Sequence, residues 1–268
     1  MTHTWRATPV IPFLVAGLAL GACADGAGGS STATSATESD HRGTPAGEGP
    51  PIDVGDPADY QPEVDPANFV VGIDNRWLPF LPGSRWVYES DTDEGVERID
   101  VVVTDDAKTV MGIDVTTVRD TVTLNGRVIE DTWDWYAQDR AGNVWYFGEE
   151  TKEYDEDGSV STQGSWEAGV NGALPGIIMY ADPQIGQAYR QEFHEGEAED
   201  VAEVVRNGET TEVAAGRFED LLVILEWNPI EPDALEEKLY ARDVGPVLEQ
   251  TVRGDDQRVE LVEHTRGH

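Results

Sequence analysis

One cysteine, Cys23, stands in 268 residues, so no disulfide can form within the chain. Only three residues are lysine: Lys108, Lys152 and Lys238. Basic residues number 18 against 53 acidic ones, a net charge of -35. A field of that sign repels nucleic acid and anionic membrane surfaces and attracts cations. Saline surroundings would screen the self-repulsion, and dedicated cation binding would also use it. Beyond the N-terminus no apolar run approaches the roughly 20 residues of a membrane-spanning helix. GxSxG elbow, P-loop and dinucleotide fingerprint are all missing. So is any long apolar pattern of helical period.

What is present begins with an export signal. Met1–Pro9 is mostly polar with Arg6, and Val10–Leu20 is a short apolar run. Small residues follow, in Leu20-Gly21-Ala22-Cys23. A charged start, a short apolar stretch and small residues before a cut describe a signal peptide over 1–22. The four-residue run resembles the bacterial lipobox, which implies a lipid on Cys23 and an extracytoplasmic protein anchored at a membrane. Several acyl chains would hold it stably. Residues 23–54 are mostly small, polar and free of aromatics, a composition that reads as a tether. Residues 55–264 then suffice for one β-rich domain.

Alternation of period two recurs through that region. Arg85–Ser90, Val96–Thr104, Thr109–Arg119, Thr121–Leu124, Arg127–Gln138 and Val144–Phe147 read as strands. Later strands are Gln187–His194, Ala198–Arg206, Phe218–Trp227, Pro246–Val252 and Gln257–Val262, with Leu235–Arg242 either extended or a helical turn. Asn125-Gly126 is a strong hairpin signal because both residues tolerate positive φ. Asn207-Gly208 reads as a second tight turn. Short links between about a dozen strands predict sequential antiparallel pairing, in a large curved sheet or partly open barrel. A two-sheet sandwich is the alternative.

Several stretches resemble a family of uncharacterised bacterial lipoproteins. They are Asn75–Glu89, Asp131–Thr151 (DTWDWYAQDRAGNVWYFGEET), Gly164–Met179 (GSWEAGVNGALPGIIM), Tyr189–Asp200 (YRQEFHEGEAED) and Leu239–Val247 (LYARDVGPV). The resemblance implies an anchored envelope protein and supplies no catalytic residue.

Three residue sets are candidate sites. Glu192, His194, Glu197 and Asp200 combine an imidazole with carboxylates, a donor set for a divalent cation such as zinc. The plain alternative is a solvated strand end. Asp139, Asn143 and Glu149 offer oxygen ligands for calcium, although Asp and Asn also favour turns on backbone grounds. Trp133, Trp135, Trp145, Phe147 and Trp166 form an aromatic stripe that would either pack as core or line a groove for a small or lipidic ligand. The expectation is an envelope lipoprotein with a binding or structural role; a metal-dependent hydrolase centred on His194 is the alternative.

Overall fold

The computed structural model describes residues 51–254 and 256–268. The expected signal peptide, Cys23 and nearly all of the expected tether lie outside them. Ile52, within the stretch assigned to the tether, is already buried.

Seventeen strands form one mainly antiparallel sheet that curls into a nearly closed barrel. Its first part is β1 (Phe69–Val70), β2 (Arg85–Thr92), β3 (Gly95–Val103), β4 (Lys108–Val110), β5 (Ile113–Leu124), β6 (Arg127–Asp139) and β7 (Val144–Tyr154). Short pieces follow: β8 (Val160–Ser161), β9 (Trp166–Glu167), β10 (Leu174–Met179), β11 (Ala188–Arg190) and β12 (Glu192–Phe193). The last part is β13 (Val201–Val213), β14 (Gly216–Trp227), β15 (Leu235–Ala241), β16 (Gly245–Arg253) and β17 (Arg258–Thr265). Two short 3-10 turns are the only helical pieces among the described residues, so no helix there is long and apolar enough to cross a membrane.

Consecutive hairpins run from β13 to β17, and β17 pairs with β2, so the chain's last strand closes one side of the barrel on its first long one. The circuit continues through β3, β5, β6 and β7. From β7 it crosses to β10, then through β12 and β11 to β13. This last crossing is the seam: its ladders join only two or three residue pairs each, between β7 and β10, β10 and β12, and β11 and β13. Two glycines let backbones meet closely, Gly148 where β7 pairs with β9 and Gly176 at the seam. A side chain at Gly148 would begin 2.3 Å from the Trp166 carbonyl oxygen, and one at Gly176 would begin 2.4 Å from the Gln191 backbone.

Asn125 and Gly126 take positive φ, 51° and 82°, and turn β5 into β6 as expected. Asn207-Gly208 does not turn the chain. It lies inside β13, where register shifts flank it, and the hairpin tip falls at Ala214-Ala215. A glycine of positive φ serves a bulge as well as a turn. Thr109–Arg119 breaks after Val110, and its second half joins Thr121–Leu124 in one strand. Leu235–Ala241 is extended.

The Asn75–Pro82 segment fills one end of the barrel. Leu78 and Phe80 are buried, and Phe80 packs edge-on against Trp86 and tilted against Tyr136. Asn75 fixes the segment: its Oδ1 accepts from the amides of Trp77 and Leu78, and its Nδ2 donates to the Gly142 and Tyr180 carbonyls.

Candidate functional site: an acidic barrel interior and a rim cleft

Register and alternation send one set of side chains into the barrel. On β5 the inward set is Val118, Asp120 and Val122; on β6 it is Glu130, Thr132, Asp134 and Tyr136. Tyr146, Glu149 and Thr151 of β7 face them across the ladder. Across the barrel, Glu226 of β14 opposes Glu236 of β15, and Lys238 opposes Glu249 of β16. Glu97, Glu192 and Asp200 complete the set. Acids on the outer face are handled differently. Asp131 takes a two-point hydrogen bond from Arg119 (2.8 Å each), and Glu237 takes one from Arg206 (2.6 and 2.8 Å). Arg119 and Arg206 are thus spent on outer-face acids.

Inside, Lys238 is the one cation facing these acids among the described residues. It is fully buried, 2.7 Å from Glu226 and 3.5 Å from Glu249. Burial disfavours its charge, yet Glu226 and Glu249 outweigh burial and hold the ammonium well above the usual lysine value. The carboxyls move the other way, because burial penalises their anions and neighbouring acids add repulsion. Glu130 is pushed up to about 8, and Asp134, Glu97 and Glu236 to about 7. Asp120, Glu149, Glu192 and Asp200 are raised well above the carboxylate range. Tyr146 donates to Asp134 at 2.8 Å, while both oxygens of Asp120 lack a partner among the described residues.

The structure divides each expected metal set. Glu192, Asp200 and Glu149, drawn from two different sets, come together in the interior, where burial and mutual repulsion raise all three. Glu197 is exposed, and His194 sits in the turn closed by its bridge to Ala198. Asp139 is occupied with turn chemistry: it accepts from the amide and Nδ2 of Asn143 (2.9 Å each) and from Trp145 Nε1 (3.0 Å). Among the described residues no group of three or more His, Cys, Asp or Glu is arranged to hold a metal ion.

The aromatic stripe splits as well. Trp133, Trp135, Trp145 and Phe147 alternate with the inward residues and so lie on the outer face. Phe69 packs edge-on against Trp145 and Phe147. Lys108 caps Trp135 at 3.9 Å, and Arg119 and Lys152 lie 5.0 Å from the Trp133 ring. Trp166 instead packs edge-on against inward-facing Tyr146.

A cleft of about 690 Å³ opens at the rim, where the β13–β14 hairpin extends past β15. Trp77, Ile185, Leu222, Asp182, Asp220 and Arg242 line it, with Asn207 and Gly208 of the bulge. The Arg242 guanidinium lies over the Trp77 ring at 4.1 Å. Among the described residues it has no ion pair and no side-chain hydrogen bond, though carboxylates outnumber cations almost threefold. The sequence marks Trp77 and Arg242 only as members of the family-like stretches. Lys238, one of three lysines, stands in the run L-E-E-K-L-Y, which does not alternate, so the sequence gives no sign that its charge faces inward.

No family model matches the chain, and no curated protein does. Two solved structures are similar to it. One, from Bacteroides fragilis, is described as a presumed exported protein with a YmcC-like fold; it is 14% identical with a TM-score of 0.43, covering 72% of this chain and 100% of that one. The other, from Parabacteroides distasonis, is described as a presumed lipoprotein; it is 12% identical with a TM-score of 0.39, covering 71% and 99%.

Proposed function

We propose that this chain is a lipid-anchored envelope protein that binds a small ligand in the rim cleft. The observation that carries the reading is Arg242, a cation lying flat on Trp77 with its N–H edge unengaged among the described residues, in a strongly acidic protein. A stacked guanidinium of this kind suits a carboxylate or phosphate. Asp182 and Asp220 in the same cleft favour a ligand that also carries a positive group, and Trp77, Ile185 and Leu222 offer an apolar floor. The ligand class is therefore a small amphipathic zwitterion. The inward faces carry carboxyl groups and tyrosines beside valines such as Val118 and Val122, so we place the ligand in the cleft. The anchor rests on Cys23 and its preceding residues, and the hydrolase alternative is not carried forward.

Native mass spectrometry of the full-length protein from its host membrane tests the reading. The wild type should carry an added mass in the range of a small amphiphile, and Arg242→Ala should lose it while keeping its melting temperature. Equal retention by Arg242→Ala would remove the cleft from consideration. Labelled fatty acid should enter wild type and not Cys23→Ser; absence from both would remove the anchor.

A further inference from the structure

Glu192 of β12 and Asp200, just before β13, stand on the two arms of the hairpin that turns at His194–Ala198, within the barrel seam. Their side chains meet, and the Trp166 indole reaches Glu192 from β9. As two carboxylates they would have nothing to give each other. No oxygen of either side chain has a protein donor at full hydrogen-bond geometry, and both are buried. One proton between them supplies the missing donor and removes one of two buried like charges. We infer that Glu192 and Asp200 share a proton that clips β12 to the start of β13 within the seam, and that losing it opens the barrel there.

The surroundings fit a clip at this place. The seam is the weakest part of the circuit: the β12 ladder to β10 joins only Leu174 with Phe193 and Pro175 with Glu192. Beside the pair, the Gln191 amide donates to the Asp200 carbonyl (2.8 Å) and continues the three-residue ladder of β11 with β13. The groups facing the pair would resist a second negative charge. Glu149 of β7 faces Glu192, with Asp134, Glu130 and Asp120 beyond it. Glu226 of β14 and Glu236 of β15 face Asp200. Among the described residues Lys238 is the one cation in reach, and Glu226 and Glu249 already hold it. On the outer side, Arg190 lies between the Tyr60 and Phe193 rings and faces Glu199 and Asp56, so its charge is directed away. Burial and these acids raise both carboxyls, in the direction a shared proton requires.

Hydrogen exchange of the full chain, corrected for the intrinsic pH dependence of exchange, tests this. Between pH 6 and pH 9, protection over 174–202 should fall at least tenfold relative to the β14 core around Val223. Glu192→Gln with Asp200→Asn keeps the shape and supplies its own donor, and its seam protection relative to the β14 core should not change with pH. Wild-type infrared spectra at pH 6 should contain a carboxylic acid band that weakens by pH 9, a readout that survives if the double variant does not fold. Seam protection that does not move in the wild type, or moves equally in the double variant, overturns the proposal. So does seam opening on addition of a chelator at pH 6, since a divalent cation would then be the clip.

Discussion

Lys238 and Glu249 are direct neighbours on β15 and β16, and Glu226 of β14 approaches the same ammonium from the other side. A fully buried lysine thus spans three adjacent strands. Removing one partner of a buried ionic group leaves an uncompensated charge. Lys238→Met should therefore cost about 3–5 kcal/mol of stability in urea melts. Combining it with Glu226→Gln and Glu249→Gln should recover much of that loss, because Gln191 can still donate to residue 226. If the triple variant were no more stable than Lys238→Met alone, the loss would be one of packing rather than charge.

Stability should fall as pH rises from about 4 to about 8. In the unfolded chain the interior carboxyls ionise near 4. Folded, Asp134, Glu97 and Glu236 hold protons to about 7 and Glu130 to about 8. Between those limits the native state binds more protons than the unfolded one, so stability is complete below the lower limit and is lost through the upper. Glu237, lowered by its hydrogen bond to Arg206, works the opposite way and matters only at acid pH. Urea melts at pH 5.5, 7 and 9 and constant ionic strength measure the slope. A slope rising with pH would show these carboxyls to be charged in the folded protein.

The sheet was readable from the sequence and the interior was not, for one physical reason. Alternation tells which residues share a face but not which face is the inside. Trp133 and Trp135 alternate correctly with Thr132, Asp134 and Tyr136, yet the tryptophans face outward and the acid faces inward. Apolar character usually marks the inner face, and here Lys108, Arg119, Lys152 and Phe69 cover the outer tryptophans instead. Glu192 and Asp200 were visible in one cluster with His194 and Glu197, but Glu149 lies 43 positions before Glu192, and only the seam brings them together. Asn207-Gly208 misled because a bulge and a tight turn both need positive φ.

Asp139 organises its turn through side-chain bonds to Asn143 and Trp145. Asp139→Ala leaves three donors to find new acceptors, so it should lower stability by about 1–3 kcal/mol in thermal or urea unfolding. Because the carboxylate is committed to these donors, calcium should not restore the loss. Full rescue of wild type from low-salt destabilisation by calcium, absent in Asp139→Ala, would reinstate the turn as a cation site.

Glycine replacements separate local strain from seam closure. At Gly126 an added Cβ meets nothing within 4 Å, but φ is +82°, so Gly126→Ala pays only for left-handed backbone, about 1–2 kcal/mol. At Gly176 the same Cβ would lie 2.4 Å from Gln191 backbone, which no rotamer change can relieve. β10 must then move away from the β11–β12 side, breaking packing that Trp166, Tyr146 and Glu192 share. Gly176→Ala should cost more than Gly126→Ala and should expose 174–202 to hydrogen exchange while leaving β14 and β15 protected. Equal, uniform losses of protection in the two variants would show the barrel opening as one unit, with no seam.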